Sequence, residues 1–394
     1  MDLYLRKGAE RRVRAGHLWI YSNEVDSQRS SLGGFASGDC VLVRSAGGEL
    51  LGSAWMEPGS LICARLYAPR SDQPFDRGLV TARLAQALAV REEFFDNPYY
   101  RLVYGDSDGL PGVVVDRFGA YLVLQLHSAG LEQYADELTG ALVDMINPAG
   151  VLLRGDSRSR REQGEAAGAR VSYGDVPRSV PLIENGTRFS APVYSGQKTG
   201  WFYDHRLSRA LLGSWVRDAA VLDVYSYVGA WGVQAAARGA SAVTCVDSSA
   251  PALEQVEANA ALNDVQGTVT TLRGAASEVM TDLAAAGSLY DVVVLDPPAF
   301  IQRRKDLKKG IAGYRRINEQ ALRLLRPGGM LVSASCSMHL QRADLLHAVQ
   351  QAAVRAGCAV QLLAQGGQGP DHPVHPAIAE TEYLKALFLR RCAE

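Results

Sequence analysis

Val292-Val293-Val294-Leu295-Asp296-Pro297-Pro298-Ala299-Phe300 is an apolar run that ends on a carboxylate and a double proline. Four branched aliphatic residues in a row suit a strand buried on both faces, as in a parallel sheet. A second run, Met330-Leu331-Val332, leads into Ser335-Cys336-Ser337. Both stretches therefore place reactive side chains where a buried strand ends. In open α/β sheets that edge is where ligands bind.

The surrounding residues, 180–394, alternate strand and helix. Apolar runs predict strands over 221–225, 242–246, 269–272, 292–295 and 330–333, with helices over 231–238, 251–262, 275–286 and 314–325. That alternation implies a mostly parallel sheet with helices on both faces. Residues 1–70 read as short strands with Gly-rich turns, such as Cys40-Val41-Leu42-Val43 before Gly47-Gly48, which suits a small β-barrel. Residues 71–74 read as a linker. Residues 75–178 read as α+β, with helices over 79–95 and 131–146 and strands over 112–115, 121–126 and 150–153. The expected fold is thus multidomain: a β-barrel, a central α+β domain and a C-terminal Rossmann-like α/β domain.

The chain has 394 residues, enough for two or three domains. Its net charge is -1, so bulk charge predicts no polyanionic partner. The start, Met1-Asp2-Leu3-Tyr4-Leu5-Arg6-Lys7, has no signal-peptide core, and no apolar run is long enough to span a bilayer; a cytoplasmic protein is expected. The six cysteines are scattered, which argues against a disulfide framework and against zinc. His372 and His375 are each followed by proline in an irregular stretch, so no metal is expected there.

The first strand of the α/β domain leads through Asp223-Val224-Tyr225-Ser226-Tyr227-Val228-Gly229-Ala230-Trp231-Gly232, and the second ends at Asp247-Ser248. An acidic residue about 20 residues beyond a glycine turn is placed to bind ribose hydroxyls. The turn is not Gly-x-Gly-x-x-Gly and has no basic residue for a pyrophosphate. A strand-end carboxylate suits a cationic ligand instead, and S-adenosylmethionine, with its ammonium and sulfonium, is one. A generic α/β turn with an incidental Asp223 fits the same residues.

Cys336 lies among small residues just past a strand, with room for a flat base. Pyrimidine C5 is a poor nucleophile until a thiolate adds to C6. Cys336 is therefore the candidate nucleophile. Asp296 is a candidate catalytic group that stabilises charge on the ring or positions the cofactor. Phe300 suits stacking on a base or packing. Cys63 and Cys245 sit inside strands and read as inert.

These residues form part of a wider pattern. Arg12-Val13-Arg14-Ala15-Gly16-His17-Leu18-Trp19-Ile20-Tyr21, Tyr104-Gly105-Asp106-Ser107-Asp108-Gly109-Leu110-Pro111-Gly112 and Gln197-Lys198-Thr199-Gly200-Trp201-Phe202-Tyr203-Asp204-His205-Arg206 precede Asp296 to Phe300, Gly313-Tyr314-Arg315 and Ser335-Cys336-Ser337. In that order they resemble the bacterial large-subunit ribosomal RNA cytosine-C5 methyltransferases with an N-terminal PUA domain, over nearly the whole chain. The resemblance implies a PUA barrel, a class I methyltransferase core and S-adenosylmethionine as cofactor. It implies a cofactor pocket drawn from Gln197, Lys198, Thr199, Gly200, Phe202, Asp223, Tyr227, Gly229, Asp247, Ser248, Asp296 and Pro297. It also implies a 23S ribosomal RNA substrate.

The chain departs from the family pattern in three places. Tyr227-Val228-Gly229-Ala230-Trp231 replaces the common Tyr-Thr-Gly-Gly-Phe. Arg273-Gly274-Ala275-Ala276 lacks the Asp that often meets the adenine, which leaves the backbone or Ser277 for that contact. Pro298 and Ala299 stand where two-cysteine RNA methyltransferases carry a second Cys, so the base that removes the C5 proton is unassigned.

Local charge supports an RNA partner. Residues 301–326 hold nine Lys or Arg against Asp306 and Glu319. Arg303, Arg304, Lys305, Lys308, Lys309 and Arg315 are the candidate phosphate contacts there. Arg12 and Arg14 belong to a second cluster, and Arg154, Arg158, Arg160 and Arg161 form a third. Two rival functions share these features: methylation of a guanine or adenine amine, and an RNA-binding assembly factor without turnover. A homodimer is one assembly the sequence leaves open.

Overall fold

The computed structural model describes residues 1–157, 160–161, 164 and 167–392. Arg158, from the third basic cluster, lies outside the described residues. The chain forms two compact units. One comprises Met1–Val180, Pro192–Tyr203 and Pro370–Thr381; the other comprises Pro181–Ala191, Asp204–Gly369 and Glu382–Glu394.

The first unit opens with β1 (Asp2–Tyr4), α1 (Glu10–Arg14), β2 (Trp19–Tyr21), β3 (Cys40–Arg44), β4 (Leu50–Met56) and β5 (Ile62–Pro69). These strands form one sheet in the order β1-β3-β4-β5-β2. Val41 and Val43 of β3 are buried while their neighbours are not, the alternation of a half-buried strand. Ile378, from the far C-terminal segment, is buried in the same core.

The unit continues with α2 (Arg77–Phe94), β6 (Tyr99–Tyr104), β7 (Val113–Phe118), β8 (Tyr121–Leu126), α3 (Ala135–Ile146), β9 (Gly150–Gly155) and β10 (Ala167–Gly174). Asp76 caps α2 by accepting from Leu79 N across 2.9 Å. The five strands lie in the order β10-β9-β8-β7-β6. Buried Arg91 pairs with Asp108 and donates to the Asp371 carbonyl, so the Pro370–Thr381 segment is tied to α2 by a charge-assisted bond.

The second unit begins with the hairpin β11 (Val180–Glu184) and β12 (Thr187–Ala191), then α4 (Arg206–Leu212). Its main elements are β13 (Ala220–Val224), α5 (Gly232–Ala237), β14 (Ala242–Asp247), α6 (Ala250–Ala261), β15 (Val269–Arg273), α7 (Ala276–Ala285), β16 (Tyr290–Leu295), α8 (Leu307–Leu324), β17 (Leu325–Ser335), α9 (Arg342–Arg355), β18 (Val360–Gly366) and β19 (Lys385–Arg391). The sheet order is β15-β14-β13-β16-β17-β19-β18. The first five strands are parallel, and the order reverses between β13 and β16. That reversal opens a crevice at the strand ends carrying Asp223 and Asp296.

Two features differ from the sequence expectation. β19 runs antiparallel to β17, pairing Ser335 with Lys385, and its apolar run carries no sign of its direction. The helix expected over 314–325 starts at Leu307, because the basic run 303–309 conceals a first turn whose buried positions include Gly310.

Candidate functional site

Asp223 is fully buried at the end of β13. Its Oδ2 accepts from Gly232 N across 2.8 Å, while Oδ1 is buried with no hydrogen-bond partner among the described residues. Burial, reinforced by the Asp296 and Asp247 carboxylates, pushes the Asp223 carboxyl up to about 7. An orphaned, charge-averse oxygen in a crevice is a receptor for a cationic or N–H-bearing group. The following turn is sharply bent. Tyr225, Tyr227 and Gly229 have φ of 66°, 49° and 82°. A Cβ on Gly229 would approach Val233 Cγ2 to 2.9 Å, so the turn accepts only glycine there.

Asp247 holds this turn from the neighbouring strand. Its Oδ2 accepts from Tyr227 N and its Oδ1 from Ser249 N, each across 2.9 Å. Each oxygen keeps a further lone pair for another donor. Ser248 is exposed beside it. Ser277 donates to Gln320 Oε1 across 3.0 Å, so its proton is committed to α8.

Asp296, one residue past β16, is gripped on both oxygens. His205 Nε2 lies 3.1 Å from Oδ1, and Trp231 Nε1 donates to Oδ2 across 3.0 Å. Burial alone would raise this carboxyl; the His205 charge and the two hydrogen bonds outweigh it and hold the group below the usual carboxylate range. Asp296 is thus an ionised, fixed acceptor. Neither His205 nor Trp231 stands out in the sequence as a site residue. A histidine and a tryptophan at a carboxylate's two oxygens are assembled only by the fold.

Pro297 is buried, and the loop beyond it is anchored on α8. Phe300 stacks against Tyr314 with ring centroids 4.8 Å apart. A Cβ on Gly313 would come within 3.1 Å of Phe300, and one on Gly310 within 2.1 Å of Ile301. Two glycines one turn apart let the loop lie against the helix. Of the two readings of Phe300, the structure supports packing.

Cys336 is half-buried just past β17. The register sets Leu295 beside Ser333, so the Asp296 and Cys336 loops leave adjacent strand ends. Buried Tyr314 joins them. Its hydroxyl accepts from Ser335 Oγ across 2.8 Å and bonds Ser337 Oγ across 3.0 Å, while Ile301 N donates to Ser337 Oγ across 3.3 Å. Cys63 and Cys245 are buried, and burial pushes the Cys63 thiol up to about 12.

The remaining expected cofactor residues belong to the first unit. Thr199 is buried and donates to Asp116, which is itself paired with Arg101 at 2.8 Å. That ion pair anchors the loop. Lys198 Nζ sits 4.3 Å from the Phe202 ring centroid, Gln197 is exposed, and Gly200 has φ 106°.

The candidate RNA contacts separate by environment. Arg303, Arg304, Lys305, Lys308 and Lys309 are exposed, and among the described residues none is in an ion pair. Arg315 donates to Gln351 across 3.2 Å. Arg12 pairs with Glu24 at 2.9 Å, and Arg14 pairs with Glu49. The third basic cluster divides: Arg154 and Arg160 are buried, paired with Asp156 at 2.5 Å and Glu132 at 2.6 Å, while Arg161 is exposed.

Among the described residues no helix is long and apolar enough to cross a membrane. A family model described as S-adenosylmethionine-dependent methyltransferase matches residues 155–390, and a PUA-like domain model matches residues 3–69. A protein of Vibrio vulnificus called ribosomal RNA large subunit methyltransferase I is 33% identical over 392 residues, covering 98% of each chain. A protein of the same name from Tolumonas auensis is 34% identical over 396 residues, with 98% of each covered. A putative methyltransferase of Streptococcus mutans shares the fold, with a TM-score of 0.84 at 19% identity over 99% of this chain and 100% of that one. A second solved structure, a putative methyltransferase complexed with SAH, has a TM-score of 0.85 at 19% identity over the same shares. The orphaned Asp223 oxygen and the glycine turn fit such a cofactor, and the chain belongs to the ribosomal RNA large subunit methyltransferase I family of S-adenosylmethionine-dependent methyltransferases.

Proposed function

We propose that this protein methylates C5 of a cytosine in large-subunit ribosomal RNA, with Cys336 as covalent nucleophile, and that it works in the cytoplasm where that RNA is made. The observation that carries the reading is half-buried Cys336 on a loop that Tyr314 and the Ile301 N–Ser337 bond tie to the Asp296 loop.

Asp223 would hold the cofactor's ammonium and Asp247 its ribose hydroxyls. Residues 197–200 and Phe202 join this pocket on the resemblance alone. Bound S-adenosylmethionine supplies an electrophilic methyl on sulfur. The Cys336 thiolate adds to C6 and pushes electron density to C5, which takes the methyl. Asp296, held ionised, orients the base or the donor without moving a proton. Transfer of the C5 proton to solvent would then break the C6–S bond, releasing the thiolate, the methylated base and the demethylated donor. The cations 303–309 meet the phosphate backbone, and the target base leaves its stack to reach the thiol.

The test is methyl transfer to ribosomal RNA by Cys336→Ser and Cys336→Ala. A loss of at least about 1000-fold in kcat with retained cofactor binding is expected. Full activity in both overturns the covalent reading. Nucleoside analysis of the product RNA separates 5-methylcytosine from methylated amines. Absence of cofactor heat in calorimetry would mark a factor without turnover.

A further inference from the structure

We propose that Lys385 is the positioning residue that keeps Cys336 ionised, its ammonium being fastened to the loop that carries the thiol. The inference rests on the reading of Cys336 as nucleophile and concerns a residue distant from it in sequence.

Lys385 opens β19 and pairs in register with Ser335, the last residue of β17. Antiparallel partners project side chains to the same face, so the lysine stem runs alongside the Cys336 loop. Nζ donates to the Ser337 carbonyl across 2.7 Å and to the Tyr383 carbonyl across 2.8 Å. An ammonium has three hydrogens, so one remains for a further acceptor. The side chain is only 5% exposed.

A buried ammonium is costly without an anion. Among the described residues no carboxylate lies in ion-pair distance of Nζ. Burial pulls the Lys385 ammonium down to about 8; Cys336 acts against that shift, Arg342 of α9 adds to it, and Glu382 opposes it. The Tyr314 hydroxyl of α8, which bonds Ser335 and Ser337 on either side of residue 336 in the chain, is held in its neutral form by burial. At neutral pH Lys385 therefore still carries its proton in most molecules, and the anion that its site lacks is the one Cys336 supplies on losing a proton to solvent. Ionisation of the thiol and retention of the proton on the buried ammonium favour each other. The proton count balances: Sγ–H loses one proton, Nζ keeps three, and the pair becomes thiolate and ammonium.

The experiment reads alkylation of Cys336 by iodoacetamide from pH 5.5 to 9.5 on the full chain, followed by mass spectrometry of the peptide holding residue 336. That peptide readout separates Cys336 from the other half-buried thiols. In the unaltered protein the rate should reach half its plateau below pH 8.5, the ordinary thiol value. Lys385→Met should move that midpoint up by about one unit, slowing alkylation at pH 7 about tenfold. Lys385→Arg should keep the midpoint near its original place. A midpoint at or above 8.5 in the unaltered protein overturns the proposal even where Lys385→Met fails to fold. So does an unchanged midpoint in a folded Lys385→Met. Alkylation does not depend on RNA, so either outcome leaves the cytosine reading standing. Full methyl transfer by Cys336→Ser would remove that reading without touching the thiol's titration.

Discussion

Trp231 Nε1 donates to Asp296 Oδ2 across 3.0 Å, joining the turn after β13 to the loop after β16. The indole stands where the family commonly has a phenylalanine, so here a hydrogen bond is added to the site. Trp231→Phe should retain the ring's packing and lose that bond. Bonds to charged groups contribute about 1.5–3 kcal/mol, so a 10- to 100-fold fall in kcat/KM for methyl transfer is expected, with the thermal midpoint little changed. Steady-state kinetics beside a melting curve decides; wild-type rates would mean Asp296 needs no help from residue 231.

Asp223 makes cofactor binding dependent on pH. Its carboxyl sits near 7 when no cation faces it, because burial disfavours the charged form. A bound ammonium requires the carboxylate, so binding should release a proton below pH 7 and strengthen as pH rises from 5.5 to 7. Calorimetry in buffers of different ionisation enthalpy measures that proton. Asp223→Asn should flatten the pH dependence.

The same carboxyl bears on stability. Its folded-state value lies above the unfolded one of about 3.9, so the fold binds the extra proton. Stability from this group is present below pH 4 and is lost as pH rises through about 7. Asp223→Asn keeps an acceptor for Gly232 N and removes the charge. It should stabilise the protein by about 1–3 kcal/mol at pH 8, read in urea, while weakening cofactor binding. Destabilisation at pH 8 would contradict the assignment.

Gly310 and Gly313 set how closely the Phe300 loop approaches α8. Gly310→Ala drives a methyl into Ile301 at 2.1 Å and should cost about 1–3 kcal/mol of stability. Gly313→Ala meets Phe300 at 3.1 Å, an approach that a small ring movement relieves. It should leave the fold intact and lower kcat more than it changes RNA binding. The paired measurement is urea unfolding and single-turnover methyl transfer.

The exposed run Arg303, Arg304, Lys305, Lys308 and Lys309 should act through phosphate charge. Replacing Lys308 and Lys309 by Gln should weaken RNA binding and lower the slope of log Kd against log salt by about 1 for each phosphate that is no longer neutralised. Replacing Arg154, which is buried against Asp156, should instead lower the melting midpoint. Filter binding over a salt series separates a surface charge from a structural one.

The strand ends carrying Asp223, Asp247, Asp296 and Cys336 were legible in the sequence. An apolar run followed by Asp or Cys announces a buried strand and its edge without reference to the rest of the chain. Charge density alone could not separate the exposed run 303–309 from Arg154 and Arg160, since a local count does not see which acids fold back onto them. It also hid the start of α8, whose first turn is mostly basic.

Sequence alone thus determined the class of fold and the edge of the sheet where chemistry gathers, because periodicity and strand-end punctuation are local properties. Tertiary structure alone decided what surrounds those side chains. His205 and Trp231 reach Asp296, and Lys385 reaches the Ser337 carbonyl from 48 residues away, through strand pairings that leave no local mark. Whether a carboxylate is ionised or a thiol has a cation beside it depends on burial and neighbours, and those exist only once the chain has folded.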